Sequence, residues 1–263
     1  MDQRLESLLH LFRAQGAVAV AYSGGVDSSL TLWAAAKALG QRALGVTVRS
    51  EFICALERQR AERIANVLAR LAGARVVTRD VAVLPNARLR ANPPDRCYLC
   101  KQVVLEEVRK AALEFLGPEA RLAEGTNADD DPARPGRRAV AEARALSPLA
   151  ACGIDKAGVR ELARSIGLPN ADDPSNSCLA TRVPTDAELT YARLKAIEGM
   201  ERAALDLGLE DLRARLVPGN GGGDGVRLLV RPAQLMYAQG QLPRLKERAN
   251  FIGFAHFSLG ERT

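Results

Sequence analysis

The stretch Ala17-Val-Ala-Val-Ala-Tyr-Ser-Gly-Gly-Val-Asp-Ser-Ser29 decides the fold of this 263-residue chain. Its apolar run, which ends at Ser23, predicts a buried strand. Gly24 and Gly25 predict a turn, and residues 28–39 predict a helix. The backbone N–H groups of a glycine turn and the N-terminus of a helix both attract negative charge. The stretch therefore predicts an anion site between a strand and a helix.

The loop differs from the Walker loop, which requires Gly-x-x-x-x-Gly-Lys followed by serine or threonine. Residues 23–28 read Ser-Gly-Gly-Val-Asp-Ser and have no lysine at the Walker position. This pattern resembles the pyrophosphate loop, or PP-loop, of the ATP pyrophosphatase superfamily, whose members cleave ATP between the α and β phosphates. The resemblance implies that Ser23 and Ser28 bind the departing pyrophosphate and that Asp27 holds Mg²⁺.

The composition is that of an ordinary globular protein, with 47% hydrophobic and 26% charged residues. No apolar run approaches the ~20 residues that are needed to cross a bilayer. Residues 1–6 predict the start of an amphipathic helix rather than a secretory signal. We therefore expect a cytoplasmic protein without a membrane partner. The net charge of +6 fits an anionic partner such as a nucleotide or an RNA, but scattered arginines on helices make nucleic acid the less favoured of the two.

Strand and helix patterns alternate over the first two thirds of the chain. Strands are predicted over 43–48, 74–78 and 121–124, and helices over 55–72, 98–115 and 155–166. Such alternation predicts an α/β fold with a doubly wound parallel sheet. The resemblance of the loop implies that this sheet is of the PP-loop, adenine nucleotide α-hydrolase-like type. Ligands of such sheets lie beyond the carboxyl ends of the strands, which is where Ser23 is expected.

Two irregular stretches, 86–95 and 171–186, interrupt the alternation, and the second suggests a domain boundary. We predict a PP-loop domain over 1–183 and a small α+β C-terminal domain over 184–263. In the second domain a helix is predicted over residues 190–207, strands over 213–217, 225–230 and 251–257, and a glycine-rich hairpin loop over 218–225.

Five cysteines, an odd number, occur without the framework of a small disulfide-rich secreted domain. We therefore expect reduced thiols with metal or redox chemistry. Cys97 and Cys100 form a C-x-x-C pair, which fits half a zinc site, a redox dithiol or part of an iron–sulfur site. A zinc site needs four ligands, and the two histidines, His10 and His256, lie far apart in sequence. Cys178 is the third candidate, because three thiolates can hold three corners of a cubane cluster.

Several segments taken together resemble the LarE family, the sulfur transferases of nickel-pincer nucleotide synthesis. The matching segments are 23–28, 92–101, 124–130, 134–139, 147–149 and 172–182. The loop alone indicates only the superfamily, whereas the combination is specific. The resemblance covers most of the first two thirds of the chain and becomes weak after Thr190.

The resemblance implies an enzyme that uses ATP to adenylate a carboxylate of pyridinium-3,5-dicarboxylate mononucleotide, with release of pyrophosphate. Sulfur then displaces AMP and a thiocarboxylate forms. An acyl-adenylate carries a good leaving group, and a thiolate or sulfide is a good nucleophile at neutral pH. The implied partners are this small mononucleotide and further copies of the chain, because family members assemble as symmetric homo-oligomers.

The family has two sources of sulfur. In one class the cysteine that matches Cys178 gives up its own sulfur and ends as dehydroalanine. In the other class three cysteines bind a [4Fe–4S] cluster whose unique iron carries the transferred sulfide. Because Cys97 and Cys100 accompany Cys178, the chain resembles the cluster class, and the sacrificial cysteine is the alternative.

The resemblance also implies which residues bind ATP and Mg²⁺. The implied nucleotide-binding residues are Ser23, Gly24, Gly25, Asp27, Ser28, Gly125, Thr126 and Asn127. Asp130 is a second candidate Mg²⁺ ligand beside Asp27.

The implied catalytic residues are Cys178, Asp27 and Arg182, of which Arg182 neutralises a substrate phosphate. Arg213 and Arg215 alternate on a predicted strand and therefore share a face. They match the family's phosphate-binding arginine pair, and Glu201 on the preceding helix matches a family glutamate.

Some positions depart from the family pattern. Family members commonly have lysine where Asp173 stands, Pro-Tyr-Gly in place of residues 184–186, and His-Gly in place of residues 218–219. These departures concern the substrate pocket rather than the ATP chemistry.

Two other functions compete with this interpretation. A tRNA thiolase shares the loop and a three-cysteine cluster, and the positive net charge suits it, but no RNA-binding appendage is recognisable. An amidating synthetase or nucleotide-binding regulator lacks sulfur chemistry, and the combination of Cys97, Cys100 and Cys178 argues against it.

Overall fold

A computed structural model describes residues 2–174, 176–219 and 223–262. The chain forms two compact units. Unit 1 consists of Met1–Ser50, Ala55–Val81 and Asp95–Ser175. Unit 2 consists of Glu51–Cys54, Ala82–Pro94 and Asn176–Thr263. The domain bounds predicted from the sequence, 1–183 and 184–263, remain a prediction, because a compact unit is not necessarily a part that folds by itself.

The helices and strands follow one another along both units. The helices are α1 (Gln3–Arg13), α2 (Val26–Leu39), α3 (Ala55–Ala72), α4 (Ala87–Arg90), α5 (Arg96–Leu116), α6 (Pro135–Glu142), α7 (Pro148–Ala151), α8 (Lys156–Ser165), α9 (Tyr191–Asp206), α10 (Leu235–Gly240) and α11 (Leu242–Ile252). The strands are β1 (Val18–Ala21), β2 (Ala43–Arg49), β3 (Arg75–Asp80), β4 (Arg121–Ala123), β5 (Arg213–Val217), β6 (Gly225–Val230) and β7 (Phe257–Glu261). Within the described ranges, no helix has the length and apolarity that a membrane span requires.

Unit 1 is built on a four-stranded sheet with the order β3-β2-β1-β4, in which every pair of neighbours is parallel. Side chains alternate between the two faces of a strand. Val18 and Val20 accordingly pack into a cluster with α1, α2 and α8. Ala19 packs into a second cluster with Val108 of α5 and Leu44 of β2. Burial on both faces explains the continuous apolar run of β1, and the predicted α/β class with a parallel sheet flanked by helices is confirmed.

Unit 2 contains a three-stranded sheet with the order β5-β6-β7. Strands β5 and β6 pair in antiparallel orientation, and β6 and β7 pair in parallel. Helix α9 begins after Thr190, whose side chain accepts a hydrogen bond from the N–H of Arg193 at 3.2 Å. A threonine in this capping position is a typical helix start.

The strand predicted over residues 251–257 is wrong. Residues up to Ile252 belong to α11, and β7 begins only at Phe257. The buried residues of α11 are Leu245 and Ala249, four positions apart, which is a helical spacing. Gly253 then adopts φ 104° and ends the helix in the left-handed conformation that glycine favours. The apolar character of the segment therefore belongs to a helix end and its cap.

The irregular stretch 86–95 contains α4, which the sequence analysis did not predict. Asn86 caps this helix, accepting hydrogen bonds from the N–H groups of Arg88 and Leu89. The predicted glycine-rich loop over 218–225 joins β5 to β6, and its residues 220–222 lie outside the described residues.

Candidate functional site

The glycine turn of unit 1 lies between β1 and α2. Gly24 has φ 83°, and a Cβ atom there would lie 2.6 Å from the Cα of Ala61 on α3. Both the left-handed backbone and the close approach require glycine at this position. Gly25 is the N-cap of α2, so the turn delivers the chain directly into a helix N-terminus.

Serine hydroxyl groups hold the turn together. The Oγ of Ser28 donates to the carbonyl of Gly25 at 3.0 Å and accepts from the N–H of Ser23 at 3.2 Å. The Oγ atoms of Ser23 and Ser28 lie 3.1 Å apart. Ser23 and Gly25 are exposed, whereas Ser28 is buried. The structure thus brings the predicted loop residues together at the positive end of the α2 dipole, where an anion is favoured.

Asp27, in the first turn of α2, is held by two donors from distant parts of the sequence. The Nδ2 of Asn127 donates to its Oδ1 at 2.9 Å. The Nζ of Lys156 donates to its Oδ2 at 2.5 Å. The carboxylate is therefore fixed at the loop, between an amide and an ammonium group.

Lys156 was not predicted from the sequence. It is the first residue of α8, directly after the capping Asp155. A cation at a helix N-terminus opposes the helix dipole. This local conflict is the signal that marks Lys156, because such conflicts concentrate at functional sites.

The segment after β4 lies against the start of α2. A Cβ atom on Gly125 would lie 2.8 Å from the backbone nitrogen of Ser28, so this second glycine is required by close approach. The carboxylate of Asp130 accepts from the N–H of Asn127 at 3.1 Å and from Arg134 at 2.9 Å. Asn127 therefore contacts both of the predicted Mg²⁺ ligands.

The two carboxylates are compatible with Mg²⁺, which keeps several waters and is commonly bound through one or two carboxylates. Among the residues that the structure describes, no three side chains of histidine, cysteine, aspartate or glutamate are gathered in a way that would hold a metal ion. The predicted Mg²⁺ site and the predicted iron–sulfur cluster are therefore unconfirmed and remain predictions.

Glu124, at the carboxyl end of β4, is a buried acid that was not assigned a role from the sequence. Its carboxylate accepts from the N–H and Oγ1 of Thr126 at 3.1 and 2.8 Å, from Ser147 at 2.8 Å and from Lys101 at 3.3 Å. Burial alone raises the pKa of Glu124, but the Lys101 ammonium and these hydrogen bonds outweigh it, and the net pKa is lowered. Thr126 thus belongs to a buried hydrogen-bond network around Glu124.

Asn170 was also missed, although it fastens the glycine turn. Its Nδ2 donates to the carbonyl of Gly24 at 2.9 Å and to the Oγ of Ser29 at 3.0 Å. The side chain is almost completely buried, and its Oδ1 has no hydrogen-bond partner among the described residues. Nothing local in the sequence marks this residue, because its partners lie more than one hundred positions away.

The cysteines of the C-x-x-C pair lie at the start of α5 in unit 1, and Cys178 lies in unit 2. Cys97 is exposed and Cys100 is half-buried. Residues three apart on a helix share a face, so the two thiols project from one side of α5. None of the five cysteines, all of which lie among the described residues, forms a disulfide. Burial raises the pKa of Cys152, so its thiol is not activated.

Residues 176–181, the Cys178 loop, are organised by Arg182. The Nη1 of Arg182 donates to the carbonyls of Ser177 and Cys178 at 2.5 and 3.2 Å. Its Nε donates to Glu201 at 2.9 Å, and its Nη2 to the side chain of Asn176 at 3.1 Å. The side chain is only 1% exposed. These contacts engage the whole guanidinium group, and its predicted role at a substrate phosphate remains a prediction.

The remaining predicted residues of unit 2 adjoin this arginine. Glu201 also accepts from the N–H of Ala214 at 3.1 Å, and Arg215 donates to the carbonyl of Thr181 at 2.5 Å. Burial lowers the pKa of Arg213, and the neighbouring guanidinium groups of Arg182 and Arg262 lower it further. Neighbouring guanidinium groups suit an anion, and the predicted role of Arg213 and Arg215 at a phosphate remains a prediction.

Comparison with known proteins gives the family. No family model matches the chain. The uncharacterized protein slr1717 of Synechocystis sp. is 34% identical over 82% of this chain and 78% of its own length. The uncharacterized protein MJ0830 of Methanocaldococcus jannaschii is 29% identical over 70% of this chain and 68% of its own length. The pyridinium-3,5-bisthiocarboxylic acid mononucleotide synthase of Lactiplantibacillus plantarum is 30% identical over 75% of this chain and 70% of its own length. The chain therefore belongs to the LarE-like family of this synthase.

Proposed function

We propose that this chain is an ATP-dependent sulfur transferase of the PP-loop type that converts a carboxylate of pyridinium-3,5-dicarboxylate mononucleotide into a thiocarboxylate. One observation carries the proposal: over 75% of its length the chain is 30% identical to a relative that is named for the bisthiocarboxylic acid product. The anion site at the start of α2, with Asp27 held beside it, supports the ATP chemistry.

In the first step a substrate carboxylate oxygen attacks the α-phosphorus of ATP, and the bond to the leaving pyrophosphate breaks. The N–H groups of the glycine turn and the hydroxyls of Ser23 and Ser28 bind the pyrophosphate. Lys156, now paired with Asp27, neutralises charge beside it. A Mg²⁺ ion held by Asp27 and Asp130 would supply further charge neutralisation.

In the second step sulfur attacks the carbonyl carbon of the acyl-adenylate, and the bond to AMP breaks. Cys178 is central to both proposed sulfur sources. In the first, Cys97, Cys100 and Cys178 hold a [4Fe–4S] cluster that supplies sulfide. The thiols have the correct donor chemistry, but no group of three such ligands is gathered among the described residues. For that reason the sulfur-transfer step is not assigned to the cluster.

In the second, the Cys178 thiolate itself attacks. A base then removes the α-proton of Cys178, and its Cβ–S bond breaks. Sulfur leaves with the substrate as a thiocarboxylate, and dehydroalanine remains in the chain. The exposed position of the Cys178 loop residues Asn176 and Ser177 supports access of a substrate to this segment.

The test combines three measurements on anaerobically purified protein. Exchange of labelled pyrophosphate into ATP, dependent on the mononucleotide, reports adenylation. Mass spectrometry of the small-molecule product reports thiocarboxylate, and an Asp27→Ala variant is the control expected to lose both. Iron and sulfide content, together with the intact mass of the chain after turnover, separates the cluster from the sacrificial cysteine. Thiolation of tRNA in place of the mononucleotide would contradict the proposal.

A further inference from the structure

Asn92 joins the segment that precedes the C-x-x-C pair to the segment that follows Cys178. The three hydrogen bonds that make this connection lie within unit 2. Its Nδ2 donates to the carbonyl of Pro184 at 2.7 Å and to that of Val183 at 3.4 Å. Its own carbonyl accepts from the N–H of Asp186 at 2.9 Å. Side chain and main chain of one residue thus fix the same turn.

The conformation of Asn92 fits this role. The residue is completely buried and has φ 57°, in the left-handed region that asparagine tolerates better than most residues. Asp186, its partner, is also left-handed, with φ 64°. Two prolines, Pro93 and Pro94, follow Asn92 and restrict the chain leading to Cys97.

The turn held by Asn92 continues directly into the arginine that organises the Cys178 loop. Val183 follows Arg182, whose guanidinium group donates to the carbonyls of Ser177 and Cys178. A shift of the main chain at Val183 would therefore move the guanidinium group and, with it, Cys178. The contacts form a continuous series from Asn92 to the reactive cysteine.

We infer that Asn92 is a positioning residue for the sulfur-transfer step. This inference rests on the proposed function. Asn92 acts through Val183, Pro184 and Arg182 on the main chain of Cys178, whereas the residues proposed to bind ATP belong to unit 1. Its loss therefore affects sulfur transfer and not adenylation.

Two variants test the inference. Asn92→Gly keeps the left-handed backbone and removes the amide. Asn92→Asp keeps the size of the side chain and replaces the donor by an oxygen that faces two carbonyls. The matched control is Asn86→Ala, which removes the side-chain cap of α4 in the same unit and leaves in place the hydrogen bonds of Asn92 to residues 183, 184 and 186.

Each variant is assayed for pyrophosphate exchange, for thiocarboxylate formed per AMP released, and for the rate at which iodoacetamide alkylates Cys178. We expect exchange within about twofold of the wild type for both Asn92 variants, and a fall of about tenfold or more in thiocarboxylate per AMP. Alkylation of Cys178 should accelerate several-fold, and that of Cys152 should not. Asn86→Ala should leave the product ratio and the Cys178 alkylation rate unchanged.

Equal loss of exchange and sulfur transfer in both Asn92 variants would overturn the inference, as would product ratios that match the Asn86→Ala control. If the wild-type protein forms no thiocarboxylate, the proposed function fails. The alkylation rates then decide about Asn92 independently, and an unchanged Cys178 rate in both variants overturns its positioning role.

Discussion

Replacing Arg182 by methionine tests how the Cys178 loop is held. Methionine has a similar length and no charge, so Arg182→Met keeps much of the buried volume and removes every hydrogen bond that Arg182 donates to the loop. It also leaves the carboxylate of Glu201 without its guanidinium partner. The side chains of this pair are 1% and 13% exposed, so water does not readily replace the lost contacts.

Removing one partner of a buried ion pair typically destabilises a protein by about 3–5 kcal/mol. For a chain of this size each kcal/mol lowers the melting temperature by roughly 2–4 °C, so a decrease of about 6–20 °C is expected. Most of this loss comes from the unpaired Glu201, so Arg182→Met combined with Glu201→Gln should be less destabilised than the sum of the two single variants. The expected coupling energy is about 0.5–3 kcal/mol.

The assay is urea denaturation of the wild type, both single variants and the double variant, followed by the same measurement on Arg182→Lys. Lysine retains a cation for Glu201 but lacks the planar fork, so it should fall between wild type and Arg182→Met. An Arg182→Met protein within about 0.5 kcal/mol of wild type would refute the reasoning, because a surface side chain behaves in that way. Additive single variants would refute the coupling.

Three further outcomes are expected. Gly24→Ala should reduce pyrophosphate exchange by about a hundredfold, whereas Gly167→Ala, also at positive φ but with nothing within 4 Å, should retain it; equal loss in both would contradict the argument from close approach. Lys156→Met should raise the KM for ATP about tenfold while changing stability by less than about 1 kcal/mol, because the pair with Asp27 is partly exposed; an unchanged KM would exclude the lysine from the nucleotide site. The pKa of Glu124 is lowered in the folded state from its ordinary value of 4.5. The stability that its ionised carboxylate contributes is therefore complete above pH 4.5 and is lost as the pH falls through the folded-state pKa. Glu124→Gln should lose less stability than the wild type as the pH is lowered, when the free energy of unfolding is measured by urea titration at each pH. Parallel profiles of this free energy against pH for the two proteins would contradict the prediction.

Local patterns predicted most of the elements that position the site. Residues 55–72, 213–217 and 225–230 have the predicted structure, because helical periodicity and strand-like apolar runs are local properties of the sequence. The segment 251–257 was misassigned because its apolar residues outweighed the evidence for a helix end at Gly253. Short helices such as α4 were missed because one turn is too short for a periodic pattern.

The candidate site was predictable where residue types in a short stretch carry the chemistry. Ser23, Ser28 and Asp27 are brought together by one turn, and the structure adds Asn127 from the predicted segment after β4. Lys156 and Asn170 contact this loop across 129 and 146 positions of sequence. Such contacts depend on how the sheet is wound, and spacing in a single sequence does not specify it.

The two units are interleaved along the chain, which passes between them after residues 50, 54, 81, 94 and 175. A single cut after residue 175 leaves every segment of unit 1 in one fragment, but residues 51–54 and 82–94 of unit 2 stay in that fragment, so no single cut releases unit 2 with all of its segments. During synthesis residues 51–54 and 82–94 leave the ribosome well before the rest of unit 2. Their apolar side chains Phe52, Val83 and Leu89 are buried in the folded protein. They therefore remain exposed until the C-terminal third of the chain has been made. Apolar surface that stays exposed during synthesis favours aggregation.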